Sequence, residues 1–248
     1  MEKLWLNLRT VLLLSLLFSL LYACKKDNND DVIPAVTNTL DIKLNYEVDG
    51  QPLLSDTLIY SNDAGNNYSV SRLWYYLSRI ALVNSDSSLL PIKDYVFVDA
   101  FRSTTNEFTI SGVPAGHYIG IKFYIGLDSV QNLTNALPAT SDNLNMEWPV
   151  PMGGGYHFMK FEGHASDSAG NYGFAMHLGR NEYLVESMIW KHIQIVSGRS
   201  DISLMMNLNE WFRDPEIYDF NIDGNYSMGV MAAMMKLRNN GVDVFSVQ

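Results

Sequence analysis

Cysteine is almost absent from this sequence, whose 248 residues include only one, Cys24. A single thiol has no partner within the chain, so no intrachain disulfide can stabilise the fold. Stability must therefore come from a hydrophobic core, a bound metal ion, or both. With 47% hydrophobic and 12% aromatic residues, the chain has ample material for one sizeable core.

Positive charge is also scarce, with 17 Lys and Arg residues against 27 Asp and Glu residues. Nucleic acids and anionic lipid surfaces are bound through cationic patches, so this balance argues against both kinds of partner. It is compatible with the attraction of cations.

Sequence motifs of common enzymes are missing as well. The chain contains neither a Gly-x-Ser-x-Gly turn nor a His-Glu-x-x-His pair. The glycines at 153–155 are not followed by the Lys-Ser/Thr of a phosphate-binding loop. We therefore expect a protein that is not an enzyme.

Long apolar runs are limited to residues 11–21, which are too few to span a membrane as a helix. This run follows Lys3 and Arg9 and ends at Leu21-Tyr22-Ala23-Cys24, which is typical of a bacterial lipoprotein signal peptide over residues 1–23. Cys24 would then be the acylated first residue, followed by a flexible acidic tether over residues 24–39. The pattern predicts an outer membrane lipoprotein, on the periplasmic face or at the cell surface. The alternative is an uncleaved anchor or an ordinary signal peptide.

Residues 40–248 are predicted to form a single domain rich in strands. Residues 40–48 alternate between apolar and polar side chains, which indicates a half-buried strand, and Asp49-Gly50 indicates a turn after it. A turn at residues 111–116 is expected to keep the strands before and after it as neighbours. Further strands are expected at 68–83, 92–101, 107–110, 117–125, 156–164, 173–178, 188–196 and 202–208, with a long loop at 126–154 and a helix at 227–238. The predicted fold class is all-β, an antiparallel β-sandwich with long loops and a short C-terminal helix.

Residues 146–164, MEWPVPMGGGYHFMKFEGH, concentrate Met, His and Trp. His157 and Met159 are two residues apart on a predicted strand, so we expect them to share a face. His177 joins that face only if the 156–164 and 171–178 strands pair in a register whose residue numbers sum to an even value. In that register, two imidazoles with the thioether of Met159 or Met152 would suit copper. In the alternative interpretation, the methionines fill the core and the histidines are structural.

Other residues of these types have simpler interpretations. Four methionines at 228, 231, 234 and 235 have the spacing of a helix face packed on the core, with a copper site as the alternative. His117, His164 and His192 are expected to be structural or solvated. Trp148 is expected to pack before Pro149 or to line the site.

Six segments of the sequence, taken together, resemble the MbnP family. They are SRLWYYLSRIAL (71–82), VPAGHY (113–118), FYIGLD (123–128), MEW (146–148), GYHFMKFEG (155–163) and HLG (177–179). Members of this family are secreted or lipid-anchored copper-binding proteins of all-β architecture. The polar segment after Cys24 is similar to those of Bacteroidetes lipoproteins.

The resemblance implies copper ligation by histidines and oxidation of a tryptophan to kynurenine by a partner dihaem peroxidase. His177 matches the histidine of the last segment, and Trp148 matches the first Trp of a Met-x-Trp-x-Trp block. Two positions depart from the pattern, because Leu133 stands where a ligand His would follow Asn132, and Val150 stands at the second Trp. The implied partners are a dihaem cytochrome c peroxidase-like protein and an outer-membrane transporter.

Two functions of different classes follow. In the first, the protein is an envelope lipoprotein that binds copper for capture or delivery, with His177, His157 and Met159 as ligands and Trp148 oxidised or lining the site. In the second, metal binding has been lost and the sandwich is a non-catalytic accessory lipoprotein that binds a protein or glycan. The ordered resemblance, His177 and the density of Met and His at 146–164 favour the first, whereas the departures at Leu133 and Val150 are the reason to keep the second as the alternative.

Overall fold

A computed structural model describes residues 37–248. The predicted signal peptide, the predicted lipidation site Cys24 and the predicted tether up to residue 36 lie outside the described residues. Within residues 37–248, no helix has the length and apolar character needed to cross a membrane.

The described residues form two β-sheets, which confirms the predicted all-β sandwich. The smaller sheet has the order β12-β11-β1-β2, with β6 on the other side of β1 from β11 along part of its length. Its strands are β1 (Thr39–Val48), β2 (Gln51–Pro52), β6 (Glu107–Ser111), β11 (Arg199–Asn207) and β12 (Phe245–Val247). The pairing of β1 with β11 is parallel, whereas the other pairs are antiparallel.

The larger sheet has seven strands in the order β10-β7-β4-β8-β9, with β3 and β5 also paired to β4. They are β3 (Tyr60–Ser61), β4 (Asn67–Val83), β5 (Leu89–Asp99), β7 (Gly116–Ile125), β8 (His157–Asp167), β9 (Gly170–Gly179) and β10 (Val185–Ile195). The length of β4 lets its first half pair with β8 and its second half pair with β5 and β7.

One prediction about strand pairing is wrong. The turn at residues 111–116 does not keep its flanking strands together, because β6 pairs with β1 while β7 pairs with β4 and β10. The turn instead carries the chain from one sheet to the other. Its Pro and Gly residues predict a change of direction, but they do not specify which strand the chain pairs with next.

The long connection between β7 and β8 contains two short helices, α1 (Ser141–Asn145) and a 3-10 turn at Val150–Met152. Thr140 caps α1, since its side chain accepts a hydrogen bond from the Asn143 backbone N–H. Near the C-terminus, α2 (Met231–Asn240) buries Ala233, Met234 and Leu237, as its apolar spacing predicts.

Aromatic side chains fill the core where β4 meets β8 and β9. The Tyr68 ring is within 6.4 Å, centroid to centroid, of four phenylalanine rings, and its hydroxyl donates to Asn209 Oδ1 at 2.7 Å. These rings are Phe161, Phe174, Phe212 and Phe220. Edge-to-face packing of this kind stabilises the core by more than the buried area alone would. The β8–β9 hairpin, which contributes Phe161 and Phe174, is therefore packed firmly against the core.

Candidate metal centre

An irregularity in β8 determines which face carries His157. Lys160 pairs with His177 across β8 and β9, but the register shifts between His157 and Met159, so that His157 pairs with Gly179. Directly paired residues project from the same face of a sheet, and Gly179 is two residues from His177. The shift therefore brings His157 to the face that carries His177.

This β-bulge shows why one expectation is wrong. His157 and Met159 do not share a face, because the extra residue between them reverses the alternation. Without the shift, the register over the rest of the hairpin would place the two histidines on opposite faces. The sequence contains a signal for the bulge, since Phe158 and Met159 are consecutive apolar residues and both are fully buried.

The imidazole rings of His157 and His177 pack edge to face, with their centroids 4.9 Å apart and their planes at 90°. His157 is 4% exposed, and the side chain of His177 is also largely covered. Two nitrogens bound to one metal ion are at most about 4 Å apart. Rings at this spacing can present nitrogens that close together.

Trp148 covers the other side of His157, with ring centroids 4.7 Å apart. Its indole N–H donates to the Met152 carbonyl at 3.2 Å. It also lies directly over the backbone of Gly179, where an added Cβ would be 2.4 Å from the indole ring. Trp148 therefore lines the site, and the absence of a side chain at Gly179 makes its position there feasible.

Each histidine donates a hydrogen bond from one ring nitrogen to an oxygen atom that can only accept. His157 Nδ1 is 3.1 Å from the Met146 carbonyl oxygen, and His177 Nε2 is 2.9 Å from Glu162 Oε1. A carbonyl can only accept, so Nδ1 of His157 carries the proton and its Nε2 keeps a free lone pair. The same argument with the ionised Glu162 leaves the lone pair of His177 on Nδ1.

The free nitrogen of His177 lacks a partner. Among residues 37–248, no group forms a hydrogen bond with the buried His177 Nδ1. Buried polar atoms without a hydrogen-bond partner are uncommon in folded proteins. Metal-binding histidines have this arrangement, in which one nitrogen faces the ion while the other donates to a carboxylate or carbonyl.

The surroundings determine the charge of His157 and of Glu162. Burial, and next the positive charge of Lys160, lower the pKa of His157 to about 3. Although burial raises the pKa of Glu162, the hydrogen bond from His177 and the charge of Arg72 together hold it below its usual range. Arg72 contacts Glu162 directly on the far side from His177. At neutral pH, His157 is therefore uncharged and Glu162 is ionised.

The glycine triplet positions the first residues of β8 against the loop residues Asn132 and Thr134. Gly154 and Gly155 have φ of 68° and 84°, and a Cβ on either would come within 2.5 Å of Thr134 or Asn132. Asn132 Oδ1 accepts from the Tyr156 backbone N–H at 2.8 Å, and Thr134 Oγ1 accepts from the Gly155 N–H at 3.0 Å. The close approach that only glycine allows fixes the residue that precedes His157.

The segment before α2 holds His177 from the other side. Ser227 Oγ accepts from the His177 backbone N–H at 2.6 Å and donates to its carbonyl at 2.7 Å. Backbone hydrogen bonds between Ala175 and residues 225 and 227 extend this contact along β9. Ser227 and Glu162 were missed from sequence, and nothing in the local pattern identifies Ser227, which is 50 residues from His177.

The structure brings together His157, His177 and Trp148 but not Met159. The side chain of Met159 is fully buried on the core face, where it pairs with Tyr75 and Leu178. His117, His164 and His192 are exposed and away from the pair. Within residues 37–248, no group of three or more His, Cys, Asp or Glu side chains is arranged to hold a metal ion. His157 and His177 therefore form a pair that no further side chain of these four types joins as a third metal ligand within the described residues.

Comparison with known proteins gives two matches. The family model for MbnP matches residues 37–232 of the chain. Among solved structures, MbnP from Methylosinus trichosporium superposes with a TM-score of 0.50 and 14% sequence identity, covering 73% of this chain and 80% of that one. At this identity, the structural likeness shows the fold alone. Among proteins with curated descriptions, none matches the chain.

Proposed function

The chain belongs to the MbnP family, and on that premise we propose that it is a cell-envelope protein that binds copper between His157 and His177, for capture or delivery. The observation that supports this most directly is the pair of facing imidazoles, each with its second nitrogen already engaged. The resemblance in sequence supplies the identity of the metal, since imidazole alone suits zinc, nickel and iron as well as copper.

The chain departs from the family pattern at Leu133, and the proposal assigns the role of the missing histidine to another residue. Leu133 is exposed in the loop, whereas Asn132 beside it supports the start of β8. His157, eleven residues after Met146 and bonded to its carbonyl, supplies the second imidazole instead. In this proposal, His157 and His177 bind the ion, while Met146 and Glu162 fix the orientation of the two rings.

Oxidation of Trp148 and a location in the cell envelope are further parts of this proposal. Trp148 packs against His157, so its oxidation by a dihaem peroxidase-like partner would change the surface beside the ion. Acylation at Cys24, an outer-membrane location and transfer to an outer-membrane transporter rest on the signal pattern and the family resemblance. Labelling with a fatty-acid analogue in the wild type and in Cys24→Ala tests the anchor, and retention of label in the variant would contradict it.

Copper titration of purified protein tests the metal site. We expect one ion to be lost in His177→Ala and in His157→Ala, with metal content measured by mass spectrometry. His164→Ala is the matched control, because His164 is an exposed histidine on the same strand. Equal copper content and affinity in all four proteins would contradict the proposal.

A second candidate function has support from particular residues. Leu133 and Val150, the two positions where the chain departs from the family pattern, present apolar side chains to solvent. Exposed apolar side chains suit an accessory lipoprotein that binds a protein or glycan. An unchanged melting temperature in excess copper would favour this candidate, because a ligand that binds only the folded state raises its stability.

A further inference from the structure

Three methionines are exposed among residues 37–248, and all three lie on or next to the two segments that are hydrogen-bonded to Trp148 and His177. Met152, Met231 and Met235 are 37%, 67% and 43% exposed, whereas the remaining described methionines are buried or partly buried. Methionine is among the residues most often buried. Its concentration at the surface in one place calls for a reason other than core packing.

The two segments that carry these methionines touch each other. A Cβ added to Gly229 would be 3.1 Å from the terminal methyl carbon of Met152, so the Met152 side chain lies against the residue two before Met231. Gly229 has a φ of 78° and allows this approach without a side chain of its own. Met231 begins α2 and Met235 follows one turn later, so both project from the same exposed side of that helix.

Both segments are also bonded to the residues of the imidazole site. The Met152 carbonyl accepts from the indole N–H of Trp148, which packs on His157. On the other side, Ser227 holds the backbone of His177 through two hydrogen bonds. The exposed thioethers therefore stand at the solvent side of the elements that hold His157 and His177.

We infer that Met152, Met231 and Met235 form a second, soft-metal site that takes monovalent copper from solution beside the imidazole pair. Thioether sulfur is a soft, uncharged donor that selects Cu(I) and is a poor ligand for hard cations. Its unbranched, adaptable side chain lets the three sulfurs converge from two segments as the ion binds. Ion binding at this site stands on the methionines alone, and its role as an entry point rests on the proposed function.

The test uses Ag(I) and Cu(I), the latter kept reduced, with the full mature chain. Replacing all three methionines by leucine removes the sulfurs while keeping exposed side chains of similar volume. Met205→Leu is the control, because Met205 is a partly buried methionine on β11 in the other sheet. We expect the wild type and the control to bind two monovalent ions, the triple variant one, and His157→Ala with His177→Ala one.

The outcomes separate this inference from the proposed function. Equal stoichiometry and affinity for Ag(I) in the triple variant and the wild type would overturn the methionine site, even if the histidine variants lose copper. Loss of one ion in the triple variant but none in the histidine variants would support the methionine site and contradict the imidazole site. Combining all five substitutions is expected to abolish monovalent-ion binding, and retained binding of two ions would overturn both.

Discussion

His177 Nε2 lies 2.9 Å from Glu162 Oε1, and this hydrogen bond links the imidazole to a carboxylate that Arg72 contacts from the other side. The three residues belong to three adjacent strands, β9, β8 and β4. Because the strand register fixes their positions, the orientation of the His177 ring follows from the sheet and not from a mobile loop. The imidazole is thereby held beside that of His157, with the two rings at 90°.

Glu162→Gln should weaken copper binding without unfolding the protein. The amide keeps the shape of the side chain but lacks the charge that fixes the proton on His177 Nε2, and loss of such a partner typically costs 10- to 100-fold in metal affinity. Competition titration with a copper chelator measures the change. Glu182→Gln is the control, because Glu182 is an exposed acid paired with Arg180. Equal affinity in Glu162→Gln and the wild type would show that the carboxylate does not orient the ligand.

The stability of the metal-free protein should fall as the pH drops from about 6.5 towards 3. His157 has a pKa of about 3 in the folded state against its ordinary 6.5, so in this window the unfolded chain takes up a proton that the folded chain does not. The free energy of unfolding then decreases by up to about 1.4 kcal/mol per pH unit from this one group. Urea unfolding of the wild type and His157→Gln between pH 6.5 and 5 measures it. Identical slopes in the two proteins would contradict the assignment.

Gly179→Ala should destabilise the fold and displace Trp148. A methyl group there would be 2.4 Å from the indole ring, and overpacking of this kind costs about 1–3 kcal/mol. Gly173→Ala is a control on the same strand, where an added Cβ meets nothing closer than 3.8 Å. Thermal unfolding and tryptophan fluorescence measure both effects. If the two variants behave alike, the contact between Trp148 and Gly179 does not limit this position.

Most strands could be predicted because their alternation survives in the sequence. Residues 40–48 and 117–125 show the period of two, and both are strands within one residue of the predicted bounds. The centre could be predicted only in part. Its histidines meet because of one bulge, and a register shift by a single residue depends on how Phe158 and Met159 pack together rather than on either residue alone.

Contacts between residues distant in the sequence were harder to predict. Glu162 was available as a neighbour of His177 once Lys160 was paired with it, but Ser227 reaches the site through a segment that forms no regular strand. The pairing of β6 with β1 was not predicted, for the same reason. A turn determines the local direction of the chain, whereas the packing of both sheets determines which strands pair.

Ser227→Ala should loosen His177 and weaken copper binding together. The substitution removes one acceptor and one donor at the His177 backbone, and an unpaired buried N–H costs about 1–3 kcal/mol. We expect a lower melting temperature and faster amide hydrogen exchange at His177, with reduced copper affinity. Ser227→Thr keeps the hydroxyl and should restore both properties at least in part. If Ser227→Ala lowers stability but leaves copper affinity and exchange at His177 unchanged, Ser227 stabilises the fold without positioning the ligand.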